Sequence, residues 1–252
     1  MPRAARKKSE SGIYHIILRG INKQTIFEDD EDRLKFLQTL SKYKDACRFN
    51  IFAYCLMDNH IHILLKEGKE ELAMAMRRIG ACYVYWYNYK YGRCGHLFQD
   101  RFKSEAVDDD SYLLSVIRYI HQNPLKARMV KNIAGHKWSS YNEYIKGSNI
   151  VDIDFVLDIF DENRERALKR FEEFNNESNN DNCLELDESK RITDNEAREL
   201  IRKKFKIDNC TDLQGFELKK RNSALETLKN EGLSSRQVER LTGISRAVVA
   251  KV

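Results

Sequence analysis

Two histidines, His60 and His62, stand one residue apart in an apolar stretch of the chain. Because side chains alternate between the two faces of a β-strand, both imidazoles would lie on one face and Ile61 on the other. Two neutral imidazoles on one face can bind a divalent metal ion. They could equally be a hydrogen-bonded pair within a sheet, so a third ligand is needed to favour the metal.

A tyrosine and an asparagine four residues apart, Tyr119 and Asn123, would share one face of a predicted helix. The amide oxygen of Asn123 could complete a metal site with His60 and His62 and leave positions open for phosphate oxygens. Nitrogen and oxygen ligands of this kind suit Mg²⁺ or Mn²⁺, and no thiolate indicates zinc.

Tyr119 is then a candidate nucleophile. A tyrosine hydroxyl reacts poorly at neutral pH because its pKa is ordinarily about 10, but a metal that polarises a phosphate would allow attack and leave a phosphotyrosine and a 3′ hydroxyl. Tyr119 could instead be a core residue, as most of the 12 tyrosines must be. Tyr112, seven residues earlier, is the rival nucleophile, and His15 and His121 could reach the site, although packing explains both.

The periodicity of apolar residues predicts the elements that position these side chains. Their order is strand, helix, strand, strand, helix, strand, which is the ferredoxin-like split βαβ arrangement of an α+β fold. The first helix would bury Leu34, Leu37, Leu40 and Tyr43. A further helix from Asp109 is predicted to end at Asn123, because a residue before proline avoids helical geometry. The six predicted elements occupy residues 13–19, 29–47, 49–57, 61–66, 70–90 and 102–107.

Composition divides the chain into three stretches. Residues 10–174 are the predicted catalytic domain, and residues 175–190, rich in asparagine and acidic residues and without periodicity, are a predicted linker. Residues 191–252 look wholly helical. This organisation predicts a mixed α+β domain followed by a smaller helical C-terminal domain.

The end of the helical part resembles a helix-turn-helix. Residues 233–252 contain two serine-capped helix starts separated by a turn at Thr242-Gly243. In that motif the second helix enters the major groove, so Ser245, Arg246 and Lys251 would contact DNA bases. Any small helical bundle can show the same pattern.

Charge and composition bound the class of protein. The net charge of +5 favours a polyanionic partner only weakly, so the placement of basic residues must carry that hypothesis. No apolar run reaches the roughly 20 residues that span a bilayer, so no membrane partner is expected. The six scattered cysteines predict a reduced, cytoplasmic protein. Five residues that flank the first and fourth strands are predicted phosphate contacts, although they could equally be solvated surface residues: Arg19, Asn22, Lys23, Arg101 and Lys103.

An aromatic run lies in the second predicted helix. These rings could stack on unpaired bases, whereas a helix face packed on the sheet would explain at least half of them. The run consists of Tyr83, Tyr85, Trp86, Tyr87, Tyr89 and Tyr91.

Four blocks of the sequence resemble a known family. YCLMDNHIHILLK at 54–66 and RYIHQNPLKA at 118–127 resemble the two signature blocks of single-tyrosine HUH transposases. YHIILRGINKQTIFEDDEDRLKFL at 14–37 and FQDRFKSEAV at 98–107 resemble the REP-associated tyrosine transposase branch. The blocks come in the family's order, and the resemblance extends over about residues 13–144, including WSSY at 138–141.

This resemblance implies that His60 and His62 bind the metal, that Tyr119 is the nucleophile and that Asn123 completes the metal shell. Related enzymes often carry glutamine at the last position, so Gln122 or His121 could compete. Helical geometry favours Asn123, because Gln122 would point about 100° away.

The activity that the resemblance implies is nicking and rejoining of single-stranded or hairpin DNA of a repeat type, through a 5′-phosphotyrosine, in DNA transposition. The protein could act alone or as a homodimer. One alternative is a non-catalytic, sequence-specific DNA-binding regulator derived from a transposase, against which the presence of His60, His62 and Tyr119 argues. Another is a hairpin-specific nuclease that does not rejoin.

Overall fold

The computed structural model describes residues 7–181, 183–184 and 194–251. The chain divides into two compact units, residues 1–185 and 186–252. Within the described residues, no helix is both long and apolar enough to cross a membrane.

The first unit contains a four-stranded antiparallel sheet in the order β2-β3-β1-β4. Together with the helices between the strands, this arrangement confirms the predicted ferredoxin-like α+β class. The strands are β1 (Ile13–Arg19), β2 (Asn50–Leu56), β3 (His60–Lys66) and β4 (Lys103–Ala106). The first three are rich in the β-branched and aromatic residues that favour strands.

Two helices connect the strands, α1 (Asp30–Cys47) and α2 (Leu72–Lys90). α1 begins with a capping box of two reciprocal hydrogen bonds. The Asp29 side chain accepts a hydrogen bond from the Asp32 backbone N–H, and the Asp32 side chain accepts one from the Asp29 backbone N–H. The Asp32 carboxylate is fully buried and also accepts hydrogen bonds from Lys90 and Tyr91 at the end of α2. The two helices are therefore tied together where α1 starts and α2 ends.

The buried face of α1 differs from the predicted one. Leu34 is 50% exposed, whereas Phe36 and Leu40 are fully buried. The aromatic ring of Phe36 packs edge-on against those of Phe27 and Tyr83, with centroids 5.9 and 5.3 Å apart. Of the predicted stripe, Leu40 is fully buried and Leu37 and Tyr43 are partly buried against the core, so the prediction fails only at Leu34.

The helix that carries Tyr119, α3, spans Asp110–Lys126 and does not end before Pro124 as predicted. Pro124 cannot donate a backbone hydrogen bond. The chain nevertheless continues helically, because Ala127 N–H donates to the Asn123 carbonyl and Met129 N–H donates to that of Pro124. Pro124 is itself buried. The loss of one bond in the last turn is tolerated, and the helix gains one more turn after Asn123.

Three short helices follow α3, namely α4 (Tyr141–Lys146), α5 (Ile153–Phe160) and α6 (Arg164–Asn176). Phe171 of α6 is fully buried and stacks on Tyr144 with ring centroids 4.2 Å apart. His121 of α3 packs edge-on against Phe171. These helices therefore pack against α3, and α4 is also bonded to β2 through the Tyr144 hydroxyl and the Phe52 carbonyl.

The predicted linker at 175–190 begins inside this packed unit. Asn175 belongs to α6 and is fully buried, and Asp181 forms an ion pair with Arg118 of α3. Leu184 N–H donates to Glu105 of β4. Part of the stretch that suggested a solvated linker is thus bonded to α3 through Asp181 and to β4 through the Leu184 backbone. Residues 182 and 185–190 lie outside the described part of the chain.

The second unit is helical, as predicted. Its core is formed by apolar residues of all four helices, among them Ile201, Leu225, Leu228, Val238 and Val249. The helices are α7 (Asp194–Phe205), α8 (Leu218–Asn230), α9 (Ser235–Thr242) and α10 (Arg246–Lys251), with a 3-10 helix at Cys210–Gly215.

The observed face of α1 generates a stability prediction. We expect Phe36→Ala to lower the free energy of unfolding of the first unit by about 3–5 kcal/mol, because it leaves a cavity in the aromatic cluster. The measurement is urea unfolding followed by tryptophan fluorescence, since both tryptophans, Trp86 and Trp138, lie in this unit. Leu34→Ala is the matched control and should cost less than about 1 kcal/mol. Equal losses from the two variants would contradict the observed orientation of α1.

Candidate active site

The pairing of β1 with β3 places the two candidate metal-binding histidines. Arg19 lies opposite His60 and Ile17 opposite His62, and directly opposed residues share a face of the sheet. The rings of His60 and His62 are 5.0 Å apart. His62 is buried and His60, the first residue of β3, is partly exposed, so the pair runs from the core to the exposed start of that strand.

α3 brings the other two predicted residues to the same face. Asp109 caps its start by accepting from the Tyr112 backbone N–H. Four residues apart, Tyr119 and Asn123 both face His62. The Asn123 amide nitrogen is 3.3 Å from His62 Nε2, and the Tyr119 ring lies edge-on to that of His62 at 5.6 Å. The structure therefore brings together all four predicted residues: His60, His62, Tyr119 and Asn123.

Each candidate ligand histidine is held through its Nδ1 atom. His60 Nδ1 lies 2.6 Å from Asn59 Oδ1, and His62 Nδ1 lies 3.0 Å from Nε2 of His15. Because the carbonyl oxygen of Asn59 can only accept, His60 Nδ1 is the donor in that bond. Such anchoring leaves Nε2 of each ring to face the site, as is usual for metal-binding histidines.

Burial keeps these imidazoles uncharged. Desolvation lowers the pKa of His60 to about 4 and that of His15 to about 3. Desolvation, with a smaller effect of the neighbouring His15 and His60, lowers the pKa of His62 well below its ordinary value. All three rings are neutral at pH 7, which is the form in which imidazole binds a metal.

The donor set fits a divalent cation if the third ligand is an amide. Among the described residues, no group of three or more His, Cys, Asp or Glu side chains is arranged to hold a metal ion. Asn123, next to His62, can supply its amide oxygen after a half-turn of the amide group, which exchanges nitrogen for oxygen. Two imidazole nitrogens and one amide oxygen suit Mg²⁺ or Mn²⁺.

The alternative nucleophile and the alternative metal ligands that the sequence left open form hydrogen bonds with other residues. The Tyr112 hydroxyl donates to Glu105 at 2.5 Å, and burial raises the pKa of Tyr112. His121 is bonded to Asn175 and Ser140, and the Gln122 amide donates to the Asn175 carbonyl. None of these three side chains is directed at His62.

Basic residues lie at the same end of the sheet. Lys103 is opposite Ile17, which is itself opposite His62, so Arg19 and Lys103 share the face of the histidines. Asn22 and Lys23 are exposed and have left-handed backbone, with φ of 51° and 61°. The Asn59 amide donates to the Lys23 carbonyl, which ties that turn to the neighbour of His60.

Arg101 is exposed two residues before β4. Of the five predicted phosphate contacts, Arg19 and Lys103 therefore share the face of the histidine pair, and Lys23 is bonded to the neighbour of His60. In the second unit, Ser245, Arg246 and Lys251 are exposed, and residues 243–245 connect α9 to α10 with Gly243 in left-handed conformation at φ 73°.

The aromatic run of α2 divides into two sets. Tyr83 and Tyr87 are buried in the core, and their hydroxyls donate to the Ile26 carbonyl and to Glu28. Tyr85 and Tyr89 are 78% and 83% exposed. Packing thus accounts for part of the run, as the sequence analysis anticipated.

Two residues near the site were not assigned to it from the sequence. His15 lies on the same face of β1 as Arg19, but its contact with His62 depends on the register between β1 and β3. The Lys126 ammonium lies 5.2 Å from the centre of the Tyr119 ring, and this contact requires α3 to continue past Pro124.

In the first unit, one face of an antiparallel sheet carries His60 and His62, and Tyr119 on an adjacent helix faces them. Residues 8–123 match the family model of IS200-like transposases. This match confirms the resemblance seen in the sequence and supports a transposase-type role in DNA processing.

Two solved structures are similar to this chain, and the first of them has the same fold. A REP-associated tyrosine transposase bound to a REP hairpin matches with a TM-score of 0.50 and 18% identity, over 61% of this chain and 96% of that one. A candidate transposase from Deinococcus radiodurans R1 matches with a TM-score of 0.34 and 13% identity, over 48% of this chain and 97% of that one. No curated protein sequence matches significantly.

The buried neutral histidines generate a pH prediction. In the unfolded chain a histidine binds a proton below about pH 6.5, whereas folded His60 and His15 do so only near pH 4 and 3. Between these values the unfolded state holds more protons, so the free energy of unfolding falls as the pH falls, by up to about 1.4 kcal/mol per pH unit for each such histidine.

Urea unfolding at pH 6.5, 5.5 and 4.5 in EDTA tests this slope. We expect His15→Gln to make the slope shallower and His96→Gln, which changes an exposed histidine, to leave it as in the wild type. An unchanged slope in His15→Gln would show that His15 is not held neutral by burial.

Proposed function

We propose that the first unit nicks and rejoins single-stranded or hairpin DNA of a repeat type, with Tyr119 as the nucleophile, and that this activity serves DNA transposition. The observation that carries the proposal is the convergence of Tyr119, His60, His62 and Asn123 on one face of the sheet. The match of residues 8–123 to the family model of IS200-like transposases supports it. The similar fold of a transposase bound to a REP hairpin supports hairpin DNA as the partner.

His60, His62 and Asn123 would hold a divalent cation, Mg²⁺ or Mn²⁺. When bound, such an ion withdraws electron density from a scissile phosphate and orients it. The protein contributes two imidazoles kept neutral by burial and one neutral amide, so the site itself carries no negative charge to repel DNA. Phosphate oxygens would fill the remaining positions.

Tyr119 would form a bond from its phenolic oxygen to phosphorus while the bond from phosphorus to the 3′ oxygen breaks. The phenol loses its proton and the departing 3′ oxygen gains one, so the products are a 5′-phosphotyrosine and a 3′ hydroxyl. Attack by a 3′ hydroxyl on the phosphotyrosine reverses these changes and rejoins DNA. Lys126 beside the ring adds positive charge where the phosphate would approach.

DNA would reach this site along the exposed end of the sheet. Arg19, Asn22, Lys23, Arg101 and Lys103 would contact phosphates there, since phosphate contacts set position rather than sequence. In the second unit, Ser245, Arg246 and Lys251 would contact bases in the manner of a helix-turn-helix. The protein would act as a monomer or a homodimer, without a membrane partner.

Loss of the tyrosine hydroxyl tests the proposed chemistry. We expect wild-type protein and Mn²⁺ to form a covalent adduct with a labelled hairpin oligonucleotide taken from beside its gene. Tyr119→Phe should form none, because it lacks the attacking oxygen. Denaturing gels detect the adduct, and EDTA should abolish it.

Tyr112→Phe is the matched control, because it removes the hydroxyl of another tyrosine of α3 and should leave the adduct in place. An adduct with Tyr119→Phe would overturn the assignment of the nucleophile. Hairpin binding with no adduct from the wild type would favour the DNA-binding regulator, and an adduct that never yields joined product would favour a nuclease.

The second unit allows a separate prediction. We expect the double variant Arg246→Ala and Lys251→Ala to weaken hairpin binding, because it removes two exposed cations. The slope of log Kd against the logarithm of the salt concentration should fall by at most about 2. Fluorescence anisotropy at several salt concentrations measures both. Binding identical to the wild type would exclude these residues from the interface; Lys203→Ala, on exposed α7, is the control for general charge.

A further inference from the structure

The fully buried His15 contacts both the candidate ligand His62 and the candidate nucleophile Tyr119. We propose that His15 is a positioning residue that fixes the tautomer and ring orientation of His62, so that His62 Nε2 faces the metal position. This inference rests on the proposed function for the identity of the site, but the tautomer itself can be measured without metal or DNA.

The hydrogen bonds define where the protons lie. The Asn123 amide nitrogen donates to His62 Nε2, so that atom carries no proton. His62 Nδ1 must then carry the proton and donate it to His15 Nε2, 3.0 Å away. Neutral His15 in turn carries its own proton on Nδ1. The chain Asn123–His62–His15 is consistent with one proton arrangement.

His15 Nδ1 supports a role beyond packing. This atom is buried and has no hydrogen-bond partner among the described residues. A buried N–H without an acceptor is unfavourable, and an apolar side chain in the same place would avoid that cost. What an apolar side chain could not provide is the acceptor for His62 Nδ1.

The geometry around His15 also limits ring rotation. The His15 and His62 rings are stacked with centroids 5.3 Å apart, and the Tyr119 ring lies edge-on to both, 5.9 Å from His15 and 5.6 Å from His62. A flip of His62 would replace Nδ1–H with a carbon facing His15. His60 has a comparable anchor in Asn59, so each candidate ligand has its own partner on Nδ1.

Imidazole ¹⁵N spectra of the metal-free protein test the tautomer directly, and the chain has only 6 histidines to assign. We expect His62 to be protonated at Nδ1 and unprotonated at Nε2 in the wild type. His15→Leu should give a mixture of tautomers at His62, and His15→Gln, whose amide oxygen can take the place of Nε2, should restore the wild-type form. A wild-type His62 protonated at Nε2 would overturn the proposal whatever the variants do.

Mn²⁺ titration followed by electron paramagnetic resonance supplies the second measurement. We expect His15→Leu to weaken Mn²⁺ binding about 10–100-fold, the usual effect of removing a partner of a metal-binding histidine, and His15→Gln to recover most of the loss. His121→Leu is the matched control, because His121 is equally buried but bonded to Asn175 and Ser140.

The two measurements distinguish failure of the proposed metal site from failure of the proposed role of His15. If the wild type shows the expected tautomer but binds no Mn²⁺, the proposed metal site fails and the positioning of His62 stands. If the wild type binds Mn²⁺ and a folded His15→Leu binds it equally well with an unchanged tautomer, the role of His15 is wrong and the metal site stands.

Discussion

The register between β1 and β3 is the constraint on which the site depends. With Ile17 opposite His62, the alternation of side chains directs His15, Arg19, His60 and His62 to one face of the sheet. A slip of one residue would turn the whole set of β1 side chains to the other face. Such a slip is opposed by the core, because Ile16 and Ile63, which point the other way, are fully buried. The hydrophobic core therefore sets the geometry of the polar site.

The same burial determines the electrostatics. A histidine in water is partly protonated near neutral pH and would compete poorly for a cation. Here the sheet and α3 exclude water from His15 and His62, which makes the charged form unfavourable and leaves neutral nitrogens facing the site. Positive charge is instead supplied at the margin by Lys126, which is exposed, and by Arg19, which is partly exposed. The arrangement separates neutral imidazoles inside from cations outside, as the proposed binding of DNA and a metal ion would require.

The sequence predicted the elements of the first unit well because strong local patterns define them: the β-branched strands, the acidic start of α1 and the turn at Asp58-Asn59. Strand and helix periods also placed His60 with His62 and Tyr119 with Asn123, and the resemblance to single-tyrosine HUH transposases grouped the two pairs in one site. The predictions from sequence failed where tertiary packing determines which residues are buried and where a helix ends. Phe36 displaces Leu34 from the core through its partners Phe27 and Tyr83, and α3 passes Pro124 because later backbone bonds continue the helix. The contact of His15 with His62 could not be predicted without the register.

The assignment of Asn123 rather than Gln122 depends on how α3 is rotated about its axis. A rotation of about 100° would exchange one for the other. Contacts on an adjacent face of α3 oppose that rotation: Arg118 forms an ion pair with Asp181 and lies 4.0 Å above the Phe174 ring, and the Gln122 amide donates to the Asn175 carbonyl. A buried ion pair of this kind adds little net stability but can define a single arrangement. The end of α6 and the acidic, asparagine-rich segment after it therefore act on the site indirectly, by fixing the rotation of the helix that carries Tyr119 and Asn123.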